Sequence, residues 1–152
     1  MADPAAPAPL FVGIGNTFRS DDGVGPWVAE ALAAEGLDAL VHAGDGTGLM
    51  DLFEDHDRLV LIDATRSRAA PGKLVRLDAS VERLPAELFH YSTHRFGLAE
   101  AVETARALGT LPESVLVYGI EGKSFDAGTA LTETVETAAA ALVARLLEEF
   151  GA

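Results

Sequence analysis

Residues 10–26 constrain the fold of this chain more than any other stretch. They begin with an apolar run at residues 10–14, which is typical of a short buried strand. The run then gives way to Gly, Asn, Ser and Asp, which favour turns, and Pro26 is a residue favoured at the first position of a helix. The pattern predicts a strand, a loop and a helix, with Asp21 and Asp22 on the loop at the end of the strand. In open α/β sheets, ligands bind at that edge.

The same loop lacks the common nucleotide-binding motifs. Gly13 and Gly15 begin a dinucleotide fingerprint, but the third glycine of that motif is replaced by Phe18. The Gly-Lys-Ser/Thr of a P-loop is absent, and Asp21 and Asp22 would repel a phosphate at the start of the helix. Paired carboxylates suit a cation or acid–base chemistry better. The alternative is that both residues only cap the helix, although one Asp is enough for a cap.

Composition limits the compartment and the partners. The chain has 152 residues. We expect residues 1–9 to form a flexible Ala/Pro-rich tail without signal-peptide features, and residues 10–152 to form one α/β domain. A net charge of −13 argues against nucleic acid or an anionic membrane as a partner. The chain has no cysteine, which excludes thiol catalysis and thiolate metal sites. We expect a cytoplasmic protein with no nucleic-acid or membrane partner.

Strands and helices alternate along the chain. The predicted strands are residues 10–14, 37–43, 58–64, 73–77 and 114–120, and the predicted helices are residues 26–34, 49–53, 97–108 and 132–150. This order predicts a single three-layer α/β/α sandwich with a mostly parallel twisted sheet. The strand at 73–77 follows its predecessor too closely for a helical crossover, so we expect an antiparallel edge strand that forms a hairpin.

Three polar residues are predicted to meet at one edge of this sheet. Asp22 follows the first strand, Asp63 ends the strand at 58–64, and His94 lies just before a helix. Two carboxylates and one imidazole form a three-ligand N/O set with an open position, as in metal sites that perform hydrolysis. Each also has a structural alternative: a helix cap for Asp22, a hydrogen bond to a loop N–H for Asp63, and capping or packing for His94.

Four other residues are candidates for supporting roles around these three, namely Asp21, Asp45, Asn16 and Arg19. A serine triad of Ser92, His94 and Asp63 is disfavoured, since the chain has no Gly-x-Ser-x-Gly nucleophile elbow.

Five polar motifs are distributed along the chain. They are Gly13-Ile14-Gly15-Asn16 with Arg19-Ser20-Asp21-Asp22-Gly23-Val24-Gly25, Asp45-Gly46-Thr47-Gly48, Leu61-Ile62-Asp63-Ala64, Ser92-Thr93-His94-Arg95-Phe96-Gly97-Leu98 and Val117-Tyr118-Gly119-Ile120-Glu121. These motifs resemble those of the hydrogenase maturation proteases, which trim the large subunit of nickel–iron hydrogenases. The first and fourth motifs are specific, the others are supporting, and together they run in the family's order from Leu10 to the last helix.

The resemblance implies an endopeptidase that removes the C-terminal extension of a hydrogenase large-subunit precursor. It implies Asp22, Asp63 and His94 as catalytic and metal-contacting residues, although some members carry Glu at the position of Asp22. The metal would be nickel already loaded into the precursor, with no organic cofactor. The nickel could polarise either the scissile carbonyl or a water molecule.

Two other functions fit the same residues. The first is a non-catalytic nickel-sensing chaperone of the precursor, which would bind through the same three side chains. The second is a different metallohydrolase or aminopeptidase on a related fold, with its own metal ion.

Overall fold

In a computed structural model, the described residues are 8–89 and 95–151, and they form an α/β/α sandwich. Within this part of the chain there are five strands and four α-helices. In chain order they are β1 (Leu10–Ile14), α1 (Val24–Ala34), β2 (Ala39–His42), α2 (Gly46–Asp55), β3 (Arg58–Thr65), β4 (Leu74–Asp78), α3 (Leu98–Leu108), β5 (Ser114–Glu121) and α4 (Glu133–Phe150). Two short 3-10 helices, Ser20–Gly23 and Ala86–Leu88, lie in the connections.

The strand order in the sheet is β2-β1-β3-β5-β4, and only β4 runs antiparallel to its neighbour. This confirms the mostly parallel sheet and the antiparallel edge strand. The expected hairpin is wrong, because β4 pairs with β5 and not with β3. The chain leaves β3, forms the far edge as β4, and returns through α3 to insert β5 between them. β5 is the better neighbour for β3 because its run of apolar residues suits a position buried on both faces.

Both faces of the sheet are covered by helices, which explains the unbroken apolar run in β3. Leu59 and Leu61 pack on the side of α2 and α3, while Val60 and Ile62 pack on the side of α1 and α4. α4 packs an apolar stripe against the sheet, and the innermost residues of the stripe are fully buried. Those residues are Val135, Ala139, Leu142 and Leu146.

The ends of several helices differ from the prediction. α1 begins at Val24, two residues before Pro26, because the 3-10 turn at Ser20–Gly23 leads directly into it. α2 extends over Gly46–Asp55, since the Asp45 side chain caps it by accepting a hydrogen bond from the Gly48 N–H. α3 ends at Leu108, whose side chain is 66% exposed.

Among the described residues, no helix is long and apolar enough to cross a membrane.

Candidate active site

The loop after β1 is shaped so that the start of α1 lies against the ends of two strands. A Cβ on Gly25 would lie 2.4 Å from the carbonyl oxygens of both Ile14 and Ile62. Gly15 has φ +151°, and a Cβ there would lie 1.9 Å from the Asp22 carbonyl oxygen. Only glycine permits these approaches. The glycines of the first motif therefore bring Asp22 to the carboxyl ends of the parallel strands.

Asp22 is half-buried, and its carboxylate turns back across the loop. Its Oδ2 accepts a hydrogen bond from the Asn16 N–H at 2.9 Å. The N-cap residues of the 3-10 helix Ser20–Gly23 and of α1 are Arg19 and Gly23, and neither helix has a side-chain capping hydrogen bond. The interpretation of Asp22 as a helix cap is therefore wrong. Burial raises the pKa of Asp22, although the Asn16 N–H and the Arg19 charge act in the opposite direction.

Asp63 lies within β3, two residues before the strand ends. Its Oδ1 accepts a hydrogen bond from the Ala64 N–H at 2.8 Å. Ala64 belongs to β3, so this bond differs from the alternative of a hydrogen bond to a loop N–H. This hydrogen bond does not offset the cost of burying the charged carboxylate of Asp63. Burial raises the pKa of Asp63 well above its usual range, and the neighbouring charge of Asp22 raises it further. Both carboxylates line the same cleft, and the charge of Asp22 opposes ionisation of Asp63.

Asp22 and Asp63 face a cleft of about 300 Å³, called the carboxylate cleft below. Most of its other walls are apolar or backbone, and Phe18 on the rim is 69% exposed. The side chains around the two carboxylates are Ile14, Asn16, Thr17, Phe18, Arg19, Val41, Ala43, Ala64, Phe89 and Leu98. An open cleft with apolar walls and a carboxylate pair is suited to binding a peptide segment beside an acid–base or cation-binding centre.

His94 lies outside the described residues, so its convergence with Asp22 and Asp63 stays a prediction. Phe89 and Leu98, on either side of the segment 90–94, both line the carboxylate cleft. Within residues 8–89 and 95–151, no group of three or more His, Cys, Asp or Glu side chains is placed to hold a metal ion.

The four predicted supporting residues divide into two pairs. Asn16 and Arg19 line the carboxylate cleft, and both lower the pKa of Asp22. Asp45 instead caps α2, with its Oδ1 also 3.9 Å from Nε2 of His42. Asp21 is fully buried, and its carboxylate binds the segment that leads into α4.

Asp21 acts as an anchor between two distant parts of the chain. Its carboxylate accepts hydrogen bonds from the backbone N–H groups of Lys123, Ser124 and Thr132 at 2.8–2.9 Å, and from the Thr132 hydroxyl at 2.9 Å. Burial alone would raise the pKa of Asp21, but these donors outweigh it and the pKa is lowered. Thr132 is the N-cap residue of α4, but its hydroxyl donates its hydrogen bond to Asp21 and not to the helix.

Sequence reasoning did not identify Glu121 as a candidate site residue. This carboxylate is buried at the end of β5 and accepts hydrogen bonds from the Thr65 hydroxyl at 2.8 Å and from the Ser67 N–H and hydroxyl. The position of Glu121 could have identified it, because β5 ends on this acidic residue at the same edge of the sheet as Asp63. Phe18 and Val41, both exposed and apolar, were also not identified as walls of the cleft.

Paired carboxylates at the carboxyl ends of parallel strands, in an α/β/α sandwich, define an α/β enzyme with its site at the sheet edge. Comparison with known proteins identifies the kind of enzyme. The family model of the HycI hydrogenase maturation proteases matches residues 28–149. The chain belongs to the hydrogenase maturation protease family, and it is an endopeptidase of that family.

Two curated relatives support this assignment. The hydrogenase 2 maturation protease of Escherichia coli is 31% identical, over 84% of this chain and 80% of its own length. The hydrogenase expression/formation protein HupD of Rhizobium leguminosarum is 29% identical, over 99% of this chain and 79% of its own.

The solved structure of the hydrogenase maturating endopeptidase HybD from E. coli has the same fold. It matches with a TM-score of 0.74 and 28% identity, covering 94% of each chain. The hydrogenase 2 maturation peptidase from a Thaumarchaeota archaeon matches with a TM-score of 0.69 and 29% identity, covering 95% of this chain and 99% of its own.

Proposed function

We propose that this enzyme is a nickel-dependent endopeptidase that removes the C-terminal extension from the large-subunit precursor of a nickel–iron hydrogenase. The observation that carries the proposal is that Asp22 and Asp63 line one cleft, and their raised pKa values are consistent with two interacting carboxyl groups. Such a pair favours a proton or a cation between its members. We expect the precursor to be met in the cytoplasm, without nucleic acid or membrane as a partner.

In this proposal the nickel ion belongs to the substrate. Asp22 and Asp63 supply oxygen ligands and His94 supplies a nitrogen ligand, a donor set that suits nickel. The ion would polarise the scissile carbonyl or the attacking water. A divalent ion would also relieve the repulsion between the carboxylates, because its positive charge lies between two negative ones. Protons therefore compete with the ion, and binding should weaken as the pH falls.

The direct test uses a purified, nickel-loaded large-subunit precursor and measures the mass of the released peptide. Asp63→Asn and His94→Ala should each abolish cleavage, because each removes one proposed ligand. Asp45→Asn is the matched control: it also removes one acidic charge, but Asn caps a helix as well as Asp does. The proposal is wrong if Asp63→Asn cleaves the precursor at the rate of the unmodified enzyme.

The same assay separates the alternatives. A nickel-sensing chaperone would bind the loaded precursor and leave its mass unchanged. A general metallohydrolase would degrade casein or cut the nickel-free precursor, whereas the proposed enzyme should do neither.

A further inference from the structure

A second cleft, of about 550 Å³, lies beside the first and has the opposite charge. It is lined by Arg19, Arg66, Arg68 and Lys123, and is called the basic cleft below. These are four of the eleven Lys and Arg residues in a chain whose net charge is −13. An acidic protein repels acidic ligands over most of its surface, so this cluster creates a local region where an anion is attracted.

Two carboxylates also line the basic cleft, but they do not cancel its charge. Glu121 directs its oxygens to the Thr65 hydroxyl and to Ser67, within the wall of the cleft. Asp126 is the only exposed acidic residue among the described lining residues. Four cations against two carboxylates leave the lining with a formal charge of +2.

The walls of the basic cleft are held by an unusual concentration of buried polar groups. The buried polar or charged residues of the described chain are Asp21, Thr65 and Glu121, and all three act here. Asp21 fixes the backbone of Lys123, while Glu121 fixes Ser67, between Arg66 and Arg68. A site whose backbone is fixed in advance loses less conformational freedom when it binds a ligand.

Backbone strain is found at the same place. Among the described non-glycine residues, Ser20 and Arg68 have positive φ, at 51° and 66°. Arg68 lines the basic cleft, and Ser20 binds its wall through a hydrogen bond from its hydroxyl to the Asp126 carbonyl. Strained residues of this kind persist where the surrounding structure holds them, and they concentrate at functional sites. The Arg66 guanidinium is also oriented, since it lies 5.4 Å from the centroid of the Phe125 ring.

Arg19 lines both clefts, so the two clefts adjoin at this residue. We propose that the basic cleft binds carboxylates of the precursor's C-terminal extension while the scissile bond lies in the carboxylate cleft. This inference rests on the proposed function, because it assigns the second cleft to the same substrate. The carboxylates come from the free C-terminus of the extension or from its acidic side chains.

The test measures peptide binding directly, so that it does not depend on cleavage. Fluorescein-labelled Gly/Ser peptides of equal length are titrated with the full chain, and fluorescence anisotropy is recorded. One peptide has a free C-terminal carboxylate, one is amidated, and one is amidated but carries several Glu residues. The protein variants are Arg68→Gln/Lys123→Gln and the matched control Arg83→Gln/Arg145→Gln. Arg83 and Arg145 are exposed outside the basic cleft, and the control removes the same charge.

We expect the peptides with carboxylates to bind more tightly than the plain amidated peptide. The Arg68→Gln/Lys123→Gln variant should weaken that binding by about tenfold or more, because it removes two charged hydrogen-bond donors. The control pair should retain binding, and Asp126→Asn should strengthen it. Preference for the free carboxylate peptide over the Glu peptide, or the reverse, identifies which carboxylate is bound.

Two results would overturn the inference: equal binding of all three peptides, or equal weakening by the control pair. Either result leaves the proposed function intact if the precursor is still cleaved. Conversely, carboxylate-dependent peptide binding by a chain that leaves the loaded precursor uncut would refute the proposed function alone.

Discussion

Asp21 and Asp22 are neighbours in the chain, but their carboxylates lie in opposite environments. Asp21 is fully buried and accepts four hydrogen bonds from the segment before α4, whereas Asp22 accepts one and faces the carboxylate cleft. The pKa of Asp21 is lowered and that of Asp22 is raised. The difference teaches that several hydrogen-bond donors can outweigh the effect of burial on the pKa of a carboxylate. A satisfied carboxylate holds the fold, and an unsatisfied one is available for chemistry.

The largest expected effect is on stability, from Asp21→Ala. This change leaves three backbone N–H groups and one hydroxyl without their buried acceptor, so we expect a loss of about 3–5 kcal/mol in the free energy of unfolding. Urea unfolding followed by circular dichroism measures it. Asp22→Ala is the matched control and should change stability by less than about 1 kcal/mol. Equal losses for the two variants would remove the distinction between them.

Next in size is the effect of Asp22→Asn on processing. If Asp22 is a ligand, its neutral amide should slow cleavage of the loaded precursor by about 100-fold or more. Asp22→Glu keeps the charge on a longer side chain and should retain partial activity. Mass spectrometry of timed reactions measures both rates. Normal cleavage by Asp22→Asn would show that the charge is not required.

A smaller effect is expected on the pH dependence of the free energy of unfolding, to which Asp21 and Asp63 contribute with opposite signs. The stability contributed by Asp21 is present above 3.8, the ordinary pKa of Asp, and is lost as the pH falls through its lowered pKa. Asp63 has the opposite sign, because the folded protein retains its proton above pH 3.8 and loses stability as the pH rises through the raised pKa.

Unfolding free energies measured across the acid range should show both signs. Asp63→Asn should reduce the decline that follows rising pH, to which the raised pKa of Asp22 also contributes, and Asp21→Asn should flatten the loss below pH 3.8. The slope due to one group does not exceed about 1.4 kcal/mol per pH unit. A profile for Asp63→Asn that parallels the unmodified protein would contradict the pKa assigned to Asp63.

The smallest expected effect comes from Phe18→Ala on the rim of the carboxylate cleft. Because Phe18 is 69% exposed, stability should change by less than about 0.5 kcal/mol. We expect a higher KM for the precursor with kcat little altered, since the ring contributes contact area rather than chemistry. Steady-state kinetics distinguish this from a fall in kcat, which would place Phe18 closer to the reacting atoms.

Local sequence patterns predicted most of the fold and part of the candidate site. The predicted ranges 58–64 and 132–150 agree with the observed ends of β3 and α4 within one residue. Asp22 and Asp63 were predicted to share one edge because each is near the end of a parallel strand, and their interacting charges in one cleft agree with that reasoning.

The features that were not predicted from the sequence depend on contacts between residues that are distant in the chain. The pairing of β4 with β5 depends on which strand is inserted between β3 and the edge, and no local pattern encodes that choice. Asp21 binds residues more than 100 positions away, so its motif gave no sign that it anchors α4. The basic cleft likewise combines Arg19, the segment at 66–68 and Lys123, which are distant in the chain.

The central claim is that Asp22 and Asp63 form one interacting pair from which Asp21 stands apart. The most direct test is an NMR titration of the carboxyl carbons in the unmodified protein and in Asp22→Asn. We predict that Asp63 titrates well above 3.8, that its pKa falls when Asp22 is neutralised, and that Asp21 titrates below 3.8 in both proteins. An Asp63 pKa near 3.8, or one that Asp22→Asn leaves unchanged, would contradict the account.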